Sequence, residues 1–432
     1  MKNKILFFFL ISLSIANADD YDIYDDSGGS KSGYVEPSKG NGETQKTQKK
    51  NRLKTSPIYQ GLQTDEELSY PYMVGQVMSE YKLSSLIGNN NTLSGGRLDS
   101  FLQTNAEFGL NFNKNFFLET DWSFMPVNKR LYDTNGDKFA GLYDVGAEGV
   151  SDVYGKQDYI KREKLHYNDY GLGVNVLSIN FKNSNLAAGA GKIEASFANA
   201  YSKYRFTGIN GTAIAEEYSL KDKLGFYVAA LFPFGKLQFN AFVNDTTGLT
   251  NTALKKIGDD NDRHGAGYNK KFENFSISFE GTFDDISYYG GFRIQAKDKK
   301  VDNNNFATER GYSFGIEKLF EFQNSIKIMP FVEIAYLDNA FAFKNKQILY
   351  FTGTLPLFFE NWHILFSNSM KYDSNNGAGY INQISAGYKF DNRVVFDFGR
   401  SWEKVIYKIS DGVKVEETFS AWNFSIGYLY KF

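Results

Sequence analysis

The sequence predicts an all-β fold, a transmembrane antiparallel β-barrel of about 16 strands, with a range of about 14 to 18. Three features of the 432 residues indicate this fold. Apolar and polar side chains alternate with a period of two from about residue 72, the composition is aromatic but polar on average, and short connections alternate with long ones. Such strands present one face to lipid and the other to water.

The composition supports a barrel that crosses a membrane. The chain has 40 Phe, 29 Tyr and 40 Gly but only 7 Pro, and its mean hydropathy is −0.42. Absence of cysteine excludes disulfides, thiolate zinc sites and cysteine nucleophiles. A formal charge of −2 argues against nucleic acid as a partner. The sequence predicts no cofactor and no metal site.

Residues 1–18 have the order of a cleaved export signal. Lys2 and Lys4 form a positive region, Ile5–Ile15 an apolar region, and Ala16-Asn17-Ala18 an A-x-A cleavage site. The apolar run is shorter than the roughly 20 residues of a spanning helix. Cleavage would change the formal charge from −2 to −4.

Residues 19–71 differ from the rest of the chain in composition. An acidic block begins at Asp19, Gly/Ser-rich sequence follows, and a basic run extends from Lys46 to Lys54. Because little of this segment can be buried, we predict a disordered periplasmic segment. A plug inside the barrel is the less favoured alternative. Residues 72–432 form the predicted barrel.

The strand count follows from the connections. Seven short turns are predicted at 113–115, 182–185, 233–235, 281–285, 320–324, 358–361 and 391–392. Eight long connections are predicted at 85–99, 127–164, 199–222, 246–269, 298–309, 338–346, 374–378 and 408–415. Together they join sixteen strands, with both chain ends on the side of the short turns. The first strand, about 72–84, has an amphipathic helix as its alternative.

A barrel of this size encloses more space than side chains fill, so we expect an aqueous channel. Charge is tolerated on the wet face but costs about 2–4 kcal/mol on the lipid face at mid-depth. The predicted channel-lining residues are Glu107, Glu119, Asp121, Arg205, Glu216, Glu217, Arg293, Lys327, Glu333, Lys389 and Arg393. Acidic residues on early strands and basic residues on later ones would set a field across the channel. The alternative is that scattered charges only keep the wall wet.

The third long connection, 199–222, is a candidate constriction. It carries Arg205, Glu216 and Glu217, and Ala213–Leu220 has a pattern compatible with one or two helical turns. An external loop with solvated charges is the alternative.

The last residues resemble the terminal β-signal of Gram-negative outer-membrane barrel proteins. Ser425, Gly427, Tyr430 and Phe432 occupy its polar, glycine and two apolar positions, with Leu429 as a misfit in the alternation. The resemblance implies recognition by the barrel-assembly machinery and insertion among outer-membrane lipid and lipopolysaccharide. In loop rank and strand count the chain also resembles sixteen-stranded porins, a resemblance that implies a third loop folded inward to narrow the pore. It also implies a homotrimer as an expectation.

A fainter likeness concerns the siderophore- and phosphate-selective porin group. Gly191-Lys192-Ile193-Glu194, Glu216-Glu217 and Gly225-Phe226-Tyr227 follow a similar order. Ser196-Phe197-Ala198 stands where that group usually has Pro-Phe-Gly, so the likeness favours transport without indicating a substrate.

The predicted function is that of an outer-membrane porin for ions and small hydrophilic solutes. A surface adhesin or structural barrel, binding partners through 127–164 or 246–269, is the alternative. An enzyme is not predicted, because His363 and Ser367 share a strand face but are separated by about 13 Å at 3.3 Å per residue. Asp259-Asp260-Asn261-Asp262 lacks the spacing of a calcium loop.

Overall fold

A computed structural model gives the structure of the chain. It describes residues 70–88, 95–126, 170–200, 218–220, 223–244, 272–283, 286–297, 306–322, 326–374, 377–390, 393–408 and 414–431. The predicted signal 1–18 and all but the last two residues of segment 19–71 lie outside these ranges.

The described residues form a closed antiparallel barrel of 16 strands. Two of the strands, β10 and β11, are each interrupted by a short break. The strands are β1 (Tyr72–Gly88), β2 (Gly95–Asn111), β3 (Phe116–Pro126), β4 (Tyr170–Lys182), β5 (Leu186–Ile193), β6 (Lys223–Phe232), β7 (Gly235–Asn244), β8 (Asn274–Phe283), β9 (Ile286–Gln295), β10 (Glu309–Lys318 and Phe320–Glu321), β11 (Ile326–Ile328 and Phe331–Asp338), β12 (Gln347–Phe359), β13 (Trp362–Asp373), β14 (Gly377–Lys389), β15 (Val394–Lys408) and β16 (Lys414–Lys431).

The barrel closes where the first strand pairs with the last. The register of β1 on β16 runs from Gln76 opposite Lys431 to Gly88 opposite Phe419. On its other edge β1 pairs with β2. Every described strand therefore has a neighbour on both sides, which removes the sheet edges that lipid could not hydrogen-bond.

The period-two pattern sorts side chains between the two faces as predicted. On β13, His363, Leu365, Ser367, Ser369 and Lys371 are buried, whereas Trp362, Phe366, Met370 and Tyr372 are exposed. Exposed aromatic and aliphatic side chains recur on the other strands at the same spacing, among them Phe226, Phe239, Phe314, Phe398 and Tyr430. This apolar outer face suits contact with acyl chains.

The connections agree closely with the sequence prediction. One strand ends and the next begins at each of the seven predicted short turns, and residues 72–88 form a strand rather than a helix. The first long connection was predicted too long. Residues 85–88 pair directly with 95–98, so the connection is only 89–94. The polar composition of these residues favours a loop, but the backbone hydrogen bonds that they form with the neighbouring strand stabilise the extended conformation.

The interior contains buried apolar clusters rather than one continuous core. The largest includes Tyr218, Phe331, Tyr350 and Leu337, together with Phe197 of the third long connection. Leu429, the misfit of the terminal pattern, packs inside the barrel with Met78 and Val395. Its inward position explains why it breaks the apolar alternation.

No helix in the described ranges is both long enough and apolar enough to cross a membrane.

Candidate functional site

The third long connection, predicted at 199–222, begins at residue 194 in the structure, and its described residues contact the inner wall. We call it loop three; residues 194–200 and 218–220 of it are described. Ser276 donates to the Ser196 carbonyl oxygen at 2.7 Å, and Ser278 bonds to the Ser196 hydroxyl at 2.5 Å. Further along, Ser313 donates to the Phe197 carbonyl oxygen. The predicted inward-folded third loop is confirmed for these residues.

Glu333 on β11 holds both described parts of loop three. Its carboxylate accepts hydrogen bonds from the backbone N–H of Asn199 at 2.6 Å and of Ala200 at 3.1 Å. It also accepts one from the Tyr218 hydroxyl at 2.9 Å. Glu333 is only 1% exposed, so these bonds replace the water that a carboxylate would otherwise require.

Arg293 on β9 contacts the same loop from the neighbouring wall. Its guanidinium donates to the Tyr218 carbonyl oxygen at 2.5 Å and lies 4.6 Å from the centre of the Phe197 ring. It also pairs with Glu309 at 2.7 Å, and the two side chains are 2% and 1% exposed. A buried cation with a carboxylate, a carbonyl and an aromatic ring around it is well compensated.

A second connection, residues 339–346, also contacts this network. We call it loop six, the sixth long connection in chain order. Glu309 accepts a hydrogen bond from the Phe341 N–H at 2.8 Å, while the Lys346 ammonium lies 5.0 Å from the centre of the Phe341 ring. Asn339, Phe341 and Asn345 have positive φ angles, which bend this loop tightly. No sequence pattern predicted that loop six contacts the interior.

Gly291 on β9 makes room for loop three. A Cβ atom there would collide with the Phe197 carbonyl oxygen, whereas one on Gly290 would meet nothing nearer than 3.9 Å. Gly291 lies on the inner face and Gly290 on the outer face of the same strand. Glycine is therefore required where the loop backbone approaches the wall.

The predicted channel-lining residues differ in their surroundings. Arg293 and Glu333 face inward but are covered by loop three, so their charges act first on the loop. Lys327, which is half-buried, forms an ion pair with the exposed Glu321 at 3.1 Å, and Lys389 is half-buried on β14. Arg393 lies in a short turn with its guanidinium carbon 5.8 Å from the centre of the exposed Tyr430 ring.

The three early acidic residues lie together on neighbouring strands. Glu107 on β2 stands directly opposite Asp121 on β3 and accepts a hydrogen bond from Gln76 at 3.1 Å. Glu119 lies two residues before Asp121. Because β3 and β11 are eight strands apart in a ring of 16, this acidic wall faces the wall that carries Lys327 and Glu333. Three further predicted residues lie outside the described ranges: Arg205, Glu216 and Glu217. The same holds for residues 213–217 of the predicted helical turns Ala213–Leu220.

Two buried side chains that the sequence did not connect meet across a strand. His363 Nε2 lies 2.5 Å from Asp397 Oδ1, and both residues are at most 5% exposed. Gly387 lies between them on β14, opposite both His363 and Asp397. A Cβ atom on Gly387 would occupy the position of this hydrogen bond. In the sequence, the three residues lie on separate strands and nothing links them. Only the strand register shows that a glycine stands between two polar residues on the inner face.

A row of neutral polar side chains crosses four neighbouring strands on the inner face. Thr354, Ser367, Gln383 and Ser401 are register partners on β12, β13, β14 and β15. The hydroxyls of Thr354 and Ser367 and the amide nitrogen of Gln383 are buried and have no hydrogen-bond partner within the part of the chain that the structure describes. Buried hydroxyls of this kind indicate positions where water or a polar solute completes the hydrogen bonding.

The residues of the terminal signal occupy both faces of β16. Ser425 and Gly427 are buried on the inner face, and Tyr430 is exposed on the outer face. Phe432 lies outside the described residues. Within those residues, no group of three or more His, Asp or Glu side chains is placed to hold a metal ion, and Asp259–Asp262 lies outside them.

The fold and the inner wall define a closed β-barrel narrowed by an inward-folded loop. No model of a known protein family matches the chain, and no curated protein matches it. Solved structures of similar fold include OmpT, an outer membrane protein of Vibrio cholerae in trimer form, with 9% identity, a TM-score of 0.47, and 83% of this chain and 99% of that chain covered.

Two other solved structures have similar coverage. The anion-selective porin from Comamonas acidovorans has 6% identity and a TM-score of 0.49, with 83% of this chain and 99% of that chain covered. The outer membrane channel DcaP of Acinetobacter baumannii has 9% identity and a TM-score of 0.45, with 83% and 96% covered. These are likenesses in overall barrel fold, the class predicted from the sequence, and they assign no substrate.

Proposed function

We propose that the chain is an outer-membrane porin that lets ions and small hydrophilic solutes diffuse through the barrel. The observation that carries the proposal is the division of the inner wall. Loop three contacts the wall from β7 to β12, whereas the hydroxyls of Thr354 and Ser367 and the amide nitrogen of Gln383, on β12, β13 and β14, have no hydrogen-bond partner among the described residues. These groups would bond to water or to a polar solute that enters the barrel.

Membrane placement is supported by the closed barrel and its apolar outer face. A ring of strands satisfies its own backbone hydrogen bonds and is one of the two ways a chain can cross lipid. An export signal at residues 1–18, recognition by the barrel-assembly machinery through β16, and a homotrimer belong to the same proposal. In bacterial barrels the short turns lie on the periplasmic side, which assigns loops three and six to the outer side.

Planar-bilayer recording tests the proposal. The full-length protein, refolded in detergent and added to a bilayer in potassium chloride, should give discrete steps whose current is proportional to voltage. Repeated silence from protein that is demonstrably folded would contradict the porin function and favour the adhesin or structural alternative.

Ion selectivity tests the role of the charged wall residues. Lys389→Glu changes the charge on the inner face of β14 by −2, so the reversal potential in a salt gradient should shift toward cation preference. Arg310→Glu, on the exposed outer face of β10, makes the same change of charge outside the channel and should leave that potential unchanged. Equal shifts in both variants would refute the inward placement of Lys389.

A further inference from the structure

An arginine lies on the outer, apolar face of the barrel. Arg400 on β15 shares that face with the exposed side chains of Phe398 and Trp402, one on either side of it along the strand. Trp422 on β16 is its direct register partner. A charged side chain among lipid-facing residues costs free energy that falls from about 2–4 kcal/mol at mid-depth to about 0–1 kcal/mol near the interface.

The two indoles hold the guanidinium group between them. The Arg400 guanidinium carbon lies 4.9 Å from the centre of the Trp402 ring and 4.9 Å from the centre of the Trp422 ring. Trp422 is itself stacked on Phe398, with 5.3 Å between ring centres. These contacts fix the position of the cation and offset part of its desolvation.

The contacts leave the hydrogen-bonding capacity of Arg400 unused. Within the described residues it forms no ion pair, and its Nε atom is buried without a hydrogen-bond partner. A guanidinium group offers five N–H donors in a rigid fork, and aromatic faces do not satisfy them as oxygen atoms would. An anion outside the barrel is the missing partner that this geometry requires.

The depth of Arg400 follows from its neighbours on the same face. Four residues further along β15, Lys404 pairs with Glu416 at 2.7 Å, and both side chains are about half exposed. The outer face therefore becomes polar there, on the side of the long connections. With a rise of about 3.3 Å per residue and a tilt of about 40°, Arg400 lies about 10 Å below that boundary. Trp402 lies two residues nearer that boundary, where aromatic side chains flank the apolar band of membrane barrels, and an arginine side chain just below it can extend toward the headgroups.

We propose that Arg400, clamped between Trp402 and Trp422 and with Lys404 above it, binds the phosphate group of a membrane lipid in the leaflet on the long-loop side. A phosphate offers oxygens at the spacing of the guanidinium fork, and the pairing is strengthened where water is excluded. The inference rests on the proposed membrane placement but not on channel activity.

Native mass spectrometry of the full-length protein tests the site. The probe is lipid A with two phosphates, compared with the same lipid freed of phosphate. Arg400→Gln should weaken binding of the phosphorylated lipid by roughly tenfold or more, since a hydrogen bond to a charged group is removed. Arg310→Gln is the matched control, because Arg310 also faces outward but has no pair of indoles around it, and its binding should equal that of the unmodified protein.

The remaining outcomes also decide the matter. Arg400→Lys keeps the charge but loses the fork, so intermediate binding is expected; it also serves if Arg400→Gln fails to fold. Equal binding of both lipids, no binding by the unmodified protein, or equal losses in the Arg400 and Arg310 variants would overturn the proposal. A change in oligomeric state in Arg400→Gln with lipid binding unaffected would overturn it in favour of a contact between two copies of the chain.

Discussion

At the scale of single residues, glycines determine which polar side chains can meet inside the barrel. Gly387 leaves space for the bond between His363 and Asp397, two strands apart, and Gly291 leaves space for the backbone of loop three. In both places a wall position without a side chain allows a partner to approach. Neither role is visible from composition, because other glycines on the same strands meet nothing nearby.

Gly387→Ala should destabilise the barrel by about 1–3 kcal/mol, because the added methyl group displaces a buried hydrogen-bonded pair. Gly379→Ala is the matched control on the same strand and face, since its Cβ atom would meet nothing nearer than 3.9 Å. Its effect should stay within about 0.5 kcal/mol. Urea unfolding in lipid vesicles, followed by tryptophan fluorescence, measures both changes, and equal effects would show that the pair contributes nothing.

At the scale of elements, loop three is held by side chains from several strands. The Glu333 carboxylate binds its two described parts, and Arg293 links it to Glu309, which in turn binds loop six. The two loops are thus connected through one buried network. Their positions should respond together when a member of the network is changed.

Glu333→Gln should loosen loop three, because the neutral amide is a weaker acceptor for the Asn199 and Ala200 N–H groups and the Tyr218 hydroxyl. The expected result is a rise of about tenfold in trypsin cleavage of the folded protein at Lys203 or Arg205, which corresponds to about 1.4 kcal/mol.

Glu317→Gln is the control for this prediction. Glu317 is also a buried carboxylate of the inner wall, but its hydrogen bond comes from Tyr289 of the wall itself. Cleavage of loop three should be unchanged in this variant. A similar rise in both variants would indicate general destabilisation rather than release of the loop.

Gly291→Ala should move loop three away from the wall and raise the single-channel conductance, since the new methyl group collides with the Phe197 carbonyl oxygen. Gly290→Ala adds the same methyl group to the outer face of β9, where there is room, and should conduct like the unmodified protein. Unchanged conductance in both variants would mean that loop three does not limit the current.

At the scale of the whole molecule, closure depends on a pairing between the two most distant strands in sequence. β1 and β16 are joined by a register that begins at Gln76 and Lys431. Because the number of strands is even, the first and last strands run in opposite directions and can pair as antiparallel neighbours. The chain contains no cysteine, so engineered thiols can report on this contact without interference.

The double variant Val77→Cys with Tyr430→Cys should form a disulfide in the folded protein. The two residues are register partners, and such partners have Cα atoms about 4.5–5.5 Å apart, within the range that a disulfide spans. Val77→Cys with Phe424→Cys is the control: Phe424 pairs with Leu83, six residues along β1, so the thiols are about 20 Å apart. Gel mobility without reducing agent distinguishes the two. No crosslink in the first variant would contradict closure.

Much of the fold followed from local patterns. The alternation on β13 predicted that His363 and Ser367 face inward and Trp362 and Phe366 outward, and the structure confirms this. The predicted length of the first long connection was wrong. Residues 85–88 have the composition of a loop, but they pair with residues 95–98 of the next strand. Loop six was missed entirely, since nothing in the sequence of 339–346 indicates a contact with Glu309.

The sequence by itself determined the two faces of each strand and the number of strands. These properties are encoded locally, because a period of two and a turn composition repeat along the chain and require no knowledge of distant residues. Only the tertiary structure decided which groups meet inside. Glu333 binds residues 133 and 115 positions away, and His363 meets Asp397 across an intervening strand. Such contacts depend on register, ring closure and the path of a loop.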